Sequence, residues 1–437
     1  MARPRKIVPL SIYINGEIVG TLSFTTSKQM QVTYDPRWLH SENCRPLSLS
    51  LPLTEQTLSG QAVESFFDNL LPDNNEIRRR IQTRFGAASD RCFDLLWHIG
   101  RDCIGAVQLI PETEACPDVT RITATPLTNA EIAATLLNYQ TIPLGMNGNN
   151  DFRISLAGAQ EKSAFLWHGG RWCRPSGTTP TSHIFKLPIG QIPQLDLRNS
   201  VENEWLCHLI LKAYNLPVAD TEMLVFDEVK VLSVKRFDRK MSTDGSWVIR
   251  LPQEDMCQAL AVPPAFKYES DGGPGIKSIM DLLYGSALAN QDRCTFMKTQ
   301  LLYWLIAGID GHAKNYSIFL LPGGGYQLTP LYDVLSAYPL VARKSLHAKQ
   351  LKMAMSIDGK NKHYEWDTIY LRHWLAQSKK VKFSKKELTG LLEEIIDTTD
   401  QVVSTVTAQL PALFPSEVAD PIFEGMRKAL KRLSTVD

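Results

Sequence analysis

Apolar and polar residues alternate from Ser11 to Ile14 and again from Glu17 to Phe24, on either side of Asn15-Gly16. Both residues of an Asn-Gly link tolerate positive φ, so the chain is predicted to open with a tight β-hairpin. Further strand and helix signals at Leu47 to Leu53, Phe66 to Asp73 and Ile99 to Pro111 make the start of the chain a small mixed α/β unit. Pro111 to Pro126 reads as a linker. From Asp151 to Leu251 short strand patterns dominate, interrupted by one helix from Ser200 to Tyr214. Asn199 is placed to cap that helix while Glu202 reaches back, and Pro217 follows its end. Beyond Met256 the period turns helical: Met297, Leu301, Trp304, Leu305 and Gly308 share one face, and Lys386 to Leu410 repeats the pattern. A strand-rich half followed by a helix-rich half predicts two lobes with a cleft between them.

Composition narrows the classes of function without naming one. The 437 residues, 44% of them apolar, are enough for two or three domains with a sizeable core. Lys and Arg total 47 against 46 Asp and Glu, so the net charge of +1 gives no global attraction to nucleic acid or to an anionic membrane. The eight cysteines are scattered, with no C-x-x-C pair and no histidine at zinc-finger spacing, and read as reduced thiols. The basic N-terminus is not followed by the apolar stretch of a signal peptide, and no run reaches membrane-spanning length. The expectation is a soluble cytoplasmic protein with no membrane contact.

Candidate chemistry concentrates in Asp310-Gly311-His312-Ala313-Lys314-Asn315, followed by Tyr316 to Leu321, the turn Gly323-Gly324-Gly325, Tyr326 to Thr329, and Tyr332-Asp333. The order is helix, acidic loop, hairpin, second acid. Phosphoryl transfer to a hydroxyl needs a carboxylate to orient the acceptor and hard oxygen ligands to hold magnesium against the phosphates. Asp310 suits the first task; Asn315 and Asp333 suit the second. Taken singly each could simply finish a loop; the ordered set points to function. Lys186, in the apolar strand pattern His183 to Pro188, is a candidate cation for the α- and β-phosphates of ATP, with Glu204 as its ion-pair partner. Ser155 to Ser163 has small residues at Ala157, Gly158 and Ala159 that would let backbone amides approach a triphosphate. Glu161 stands where a Walker A motif needs glycine, which excludes a P-loop NTPase.

Several stretches together resemble the HipA family, the kinase toxins of HipBA toxin–antitoxin modules. They are Pro46 to Leu53, Phe67 to Asp73, Arg153 to Lys162, Lys235 to Arg239, Leu251 to Gln258, Tyr268 to Gly275 and Asp310 to Asn315. The resemblance covers nearly the whole chain. It implies an α+β, two-lobed protein-kinase-like fold related to phosphatidylinositol kinases, with a mixed α/β N-terminal lobe and a mainly helical C-terminal lobe. The expected division is an N-terminal subdomain over 1–112, the strand-rich remainder of the N-lobe over 150–255 and a helical C-lobe over 256–437. It further implies an ATP- and magnesium-dependent serine/threonine kinase with Asp310 as catalytic base and Asn315 and Asp333 on the metal. ATP would be held by Ala157, Gly158, Ala159, Gln160, Glu161 and Lys162, by Lys186, by the hinge Lys235, Arg236 and Phe237, and by His312, Lys314 and Tyr332. Ser155 would be an autophosphorylation site whose modification switches the kinase off. At the hinge, Lys235 replaces an acidic residue expected from the family pattern; a contact through its backbone would survive that change.

Family members of this kind act on glutamyl-tRNA synthetase, and a HipB-like helix-turn-helix antitoxin joins them on operator DNA. Neither partner is visible in spacing or composition. The one local basic patch is Lys379 to Lys386; it is either a solvated face or, through Lys379, Lys380 and Lys382, a contact with DNA phosphates. Two other readings stand beside the protein kinase: a small-molecule or lipid kinase, because the acidic loop serves any hydroxyl acceptor, and an inactive kinase-like partner of a repressor.

Overall fold

Asn15 and Gly16 both take positive φ, 49° and 85°, and turn β1 (Leu10–Ile14) into β2 (Glu17–Phe24) as an antiparallel pair. This is the conformation for which an Asn-Gly pair is suited. β3 (Met30–Tyr34) buries Met30, Val32 and Tyr34 on one face and leaves Gln31 and Thr33 outside, as the two-residue period of a strand requires. β4 (Leu58–Ser59) and β5 (Val107–Pro111) complete a sheet in the order β4-β3-β2-β1-β5. Against it pack α1 (Pro36–Leu39), α2 (Gln61–Asp68) and α4 (Cys92–Ile99), with α3 (Asn75–Phe85) on α4, around an apolar core of their own. The strand signal at Leu47 to Leu53 yields only an isolated bridge between Ser48 and Leu51. These are features of a computed structural model, which describes residues 8–137, 155–157, 160, 162–192 and 195–434.

The second sheet is built from β6 (Ala124–Pro126), β7 (Lys162–His168), β8 (Arg171–Pro175), β9 (His183–Lys186), β12 (Thr221–Phe226) and β13 (Val229–Lys235) in the order β12-β13-β9-β7-β8-β6. The expected linker thus ends as a strand, paired to β8. The short hairpin β10 (Gly190–Ile192) with β11 (Leu195–Leu197) precedes α6 (Ser200–Ala213), while α5 (Asn129–Leu137) packs on the sheet. α6 begins where predicted, but without the predicted cap. The Asn199 amide donates to Glu417 at 3.2 Å, and Glu202 is buried in an ion pair with Lys230. Distant partners have taken both side chains from the local cap.

A further hairpin, β14 (Arg239–Met241) with β15 (Val248–Arg250), leads to β16 (Gln253–Asp255) and α7 (Met256–Ala259), which opens on an Asp255/Gln258 capping box. The rest is mainly helical: α8 (Ile276–Leu283), α9 (Ala289–Leu305), α10 (Tyr338–Ala342), α11 (Leu371–Lys380), α12 (Lys385–Thr407) and α13 (Ser416–Ser434). Among them β17 (Ser317–Leu320) and β18 (Tyr326–Leu328) pair with β16 in the order β16-β17-β18. A hairpin of β19 (Lys352–Asp358) and β20 (Lys362–Glu365) was not foreseen, although Asp358-Gly359 is a turn signal. α9 corrects the one-faced expectation, because Asp292, Arg293, Lys298 and Gln300 are buried together with Leu301 and Trp304. Its polar groups are paired internally, as buried groups must be: Lys298 donates to the Tyr214 carbonyl at 2.6 Å and to Glu394 at 2.7 Å, and Gln300 donates to the Tyr316 hydroxyl at 2.7 Å. Gly308 falls beyond the helix end.

Candidate active site

β9 turns Lys186 into the interior, where its ammonium lies 2.5 Å from Glu204 Oε1 on α6 and 2.8 Å from Asp333 Oδ1. In β-sheet register with it stands Lys162 at the start of β7, with Nζ 3.9 Å from Asp333 Oδ2 and donating to the Ala157 carbonyl at 3.1 Å. Burial opposes a charged lysine, yet Asp333 and Glu204 more than reverse this and hold Lys186 above its ordinary range. Burial would likewise raise Asp333, and the two lysines hold it well below the usual carboxylate range instead. Asp333 also sits at a φ of 62°. A non-glycine residue in that conformation costs energy that the surrounding contacts must overcome, a condition common at functional sites.

The loop after α9 supplies the other acid. Asp310 is exposed at the cleft mouth, but the protein surrounding it raises its carboxyl; the Tyr268 hydroxyl, donating to Oδ1 at 2.6 Å, acts in the opposite sense. The field of Asp333 reaches Asp310 and adds to the rise. Asn315 donates its side-chain N–H to the Asp310 carbonyl at 2.8 Å, which leaves its amide oxygen for another partner. Gly311 is required here: a Cβ would lie 2.6 Å from the Tyr303 ring. His312 is buried with Nδ1 lacking a hydrogen-bond partner among the described residues, and burial, helped by Lys267, pushes its pKa down to about 4, so the ring is neutral near pH 7. Tyr332 ties the loop down by donating to the Lys314 carbonyl at 2.9 Å.

The fold therefore gathers Lys162, Lys186, Glu204 and Asp333 at one point, and Asp310, His312 and Asn315 beside it. Other expected nucleotide contacts are placed differently. Lys314 gives its ammonium to Asn69 Oδ1 at 2.6 Å and to Asp255 and Asp73 at 3.3 and 3.6 Å, because a buried cation needs anions and these are its neighbours. The Arg236 guanidinium is enclosed with Asp238 at 2.8 Å and Asp102 at 3.4 Å. At the hinge the amides of Lys235 and Arg236 donate to the carbonyls of Asp220 and Ser182, at 2.8 and 2.9 Å, so neither is open to an adenine edge in this conformation. Phe237 packs against Tyr332 and Phe319, each at 5.8 Å between ring centres. Gln160 donates to the Leu187 carbonyl at 2.9 Å. Gly158, Ala159 and Glu161 lie outside the described residues. Ser155 is fully buried, with its hydroxyl donating to the Leu70 carbonyl at 2.7 Å and its amide to the Asp102 carbonyl at 2.9 Å. Lys379, Lys380 and Lys382 lie apart from the cleft, at the junction of α11 and α12, where Lys380 pairs with Asp358 at 3.3 Å.

Four residues without an assigned role in the sequence reading enter the site. Asn69 and Asp73 come from the N-terminal unit, and Lys267 and Tyr268 from the loop after α7; Asp73 and Lys267 meet at 2.9 Å. The sequence marked Phe67 to Asp73 and Tyr268 to Gly275 as parts of a family pattern and left Lys267 outside it, and the two segments lie too far apart along the chain for spacing to join them.

The N-terminal residues 10–110 match the HipA N-terminal domain family, and residues 154–404 match the HipA-like C-terminal domain family. The protein Y4mE of Sinorhizobium fredii is 32% identical over 414 residues, 93% of each chain. The serine/threonine-protein kinase toxin HipA of Shewanella oneidensis is 27% identical over 427 residues, covering 95% of this chain and 93% of that one. In structure, a chain from the complex of Shewanella oneidensis HipA, HipB and operator DNA superposes with a TM-score of 0.79 at 24% identity, covering 97% of this chain and 96% of that one. That superposition shows a shared fold.

Proposed function

Since this chain belongs to the HipA family and is a serine/threonine kinase, we propose that it transfers the γ-phosphate of ATP to a hydroxyl held against Asp310. The observation that supports this most is the double pairing of Lys186 with Glu204 and Asp333 at 2.5 and 2.8 Å, beside the Asp310 to Asn315 loop. A buried lysine shared by two acids is ready to meet phosphate oxygens, and the acid on α6 keeps it aimed. Asp333 and the amide oxygen of Asn315 form a hard-oxygen donor pair, which fits magnesium bound with a nucleotide, where phosphates and water complete the coordination. When bound, that ion would neutralise charge on the β- and γ-phosphates. Lys186 and Lys162 would hold the phosphate chain, Asp310 would orient the acceptor hydroxyl and take its proton, and the neutral His312 ring would line the cleft. The three-part division of 1–112, 150–255 and 256–437 belongs to the same proposal.

The finer assignments rest on kinship. The relative is named a toxin and its structure contains HipB and operator DNA; we extend to this chain a HipB-like antitoxin, an operator complex, a translation substrate such as glutamyl-tRNA synthetase, and a cytoplasmic site of action. Among the described residues no helix is long and apolar enough to cross a membrane. For Ser155, autophosphorylation would convert its donor into an anion of nearly two charges facing the Leu70 carbonyl, which would drive the phosphate loop from its seat. Incubation with γ-labelled ATP and magnesium tests the central reading. Wild-type chain should label protein serine or threonine, and Asp310→Asn should lose at least about a hundredfold in rate; full transfer by Asp310→Asn, or label confined to lipid, would overturn it.

A further inference from the structure

Tyr268 occupies the loop between α7 and α8, and its hydroxyl points at the carboxylate of Asp310, 42 positions further along the chain, at 2.6 Å. The ring is not a loose surface group. His312 meets it edge-on at 4.9 Å between ring centres. Lys267 Nζ lies 5.6 Å from its centroid, and that lysine is in turn fixed by Asp73 at 2.9 Å. Its backbone carbonyl accepts from the amides of Asp271 and Gly273 at 3.1 and 3.0 Å. One tyrosine is thus braced by the N-terminal unit, by its own loop and by the loop that carries Asp310, and the single polar atom of its side chain is spent on one carboxylate oxygen.

We propose that Tyr268 is a positioning residue for the catalytic base, holding Asp310 Oδ1 so that Oδ2 alone faces the acceptor hydroxyl. This rests on the role of Asp310 proposed above. As the acceptor oxygen bonds to the γ-phosphorus, its proton passes to Oδ2. The bond from that phosphorus to the bridging oxygen breaks, and ADP departs with the electron pair. The Tyr268 O–H moves no proton and remains donated to Oδ1 throughout. A free carboxylate would rotate between two faces, and only one presents the lone pair to the acceptor, so fixing the rotor removes unproductive orientations.

Tyr268→Phe in the full chain keeps the ring and its contacts with His312 and Lys267 and deletes only the hydroxyl. Two measurements test it. The first is carbon-13 NMR relaxation of the Asp310 carboxyl at one fixed pH in aspartate-labelled protein, assigned by the resonance lost in Asp310→Asn, which reads how freely the carboxylate turns. The second is kcat and the KM for ATP in transfer to dephosphorylated casein. We expect faster carboxylate motion in Tyr268→Phe, with kcat roughly tenfold lower and the KM for ATP unchanged. Unchanged carboxylate motion would overturn the inference, and so would a faster Tyr268→Phe enzyme, which would make the tyrosine an obstruction. The relaxation measurement needs no acceptor and decides the matter even if casein is a poor one. Loss of transfer in Asp310→Asn with unchanged carboxylate motion in Tyr268→Phe would sink this inference alone; retained transfer in Asp310→Asn would sink the base assignment and this inference with it.

Discussion

At Lys186 a structural task, the pairing of two buried acids, and the chemical one proposed above share one side chain, and they can be separated. Lys186→Met removes the cation shared by Glu204 and Asp333 and leaves Asp333 with Lys162 at 3.9 Å. Removing one partner of a buried pair typically costs about 3–5 kcal/mol, and losing a preformed electrostatic partner of the transferred group slows chemistry by roughly 10²–10³. The double change Lys186→Met with Glu204→Leu should recover much of the melting temperature and none of the transfer activity. Recovery of both would mean that Lys186 is only structural. Glu254 gives a test by pH. It is fully buried, with Oε1 accepting the Leu49 amide at 2.8 Å, and burial pushes its pKa up to about 8. A carboxyl whose pKa is raised by folding binds more protons folded than unfolded, so its contribution is complete below the ordinary carboxyl pKa and is lost as pH climbs toward about 8. The melting-temperature advantage of Glu254→Gln over wild type should therefore grow between pH 5 and pH 8. A constant difference would contradict the assignment.

Among the elements, the loop from Tyr268 to Gly275 shows how glycine spacing carries function without touching substrate. A Cβ on Gly273 would stand 1.9 Å from the Phe266 carbonyl oxygen, so Gly273→Ala must displace the turn that carries Lys267 and Tyr268. Because the loop is partly exposed, we expect a melting temperature close to wild type with transfer reduced severalfold or more, read by thermal melting and labelled-phosphate transfer on the same preparation. Normal transfer would show that the loop geometry is not needed. α9 carries a different lesson. Its residues Met297, Leu301, Trp304 and Leu305 predicted a helix correctly, yet from Phe296 to Leu305 the helix is buried on every side, because α12 and α13 also pack on it. Periodicity reports a helix; it does not report how many neighbours that helix acquires.

Across the whole molecule, the N-terminal unit is tied to the kinase lobes by Asp102, whose carboxylate meets Arg239 at 2.9 Å and Arg236 and Arg250 at 3.4 Å. Burial alone would raise this carboxyl; the three guanidiniums reverse the effect and hold it below the usual range. Asp102→Ala would leave Arg236 and Arg239 with Asp238 alone and take from Arg250 the carboxylate it meets, and a loss of at least about 3 kcal/mol is expected in urea unfolding; an unchanged midpoint would remove Asp102 as the link. The chain's own order had already announced a hairpin at Asn15-Gly16, a strand at Lys186 and a loop from Asp310 to Asn315 after a helix, because turns, periods and short spacings depend on neighbours within a few residues. It was silent on the Asn15 side chain, which clasps the backbone of Arg250 through bonds of 2.8 and 2.9 Å. It was silent, too, on the inward turn of Lys314 and on Tyr268 at the carboxylate of Asp310. Those contacts exist because packing brings distant segments together and excludes water from between them, and that proximity is a property of the folded chain as a whole.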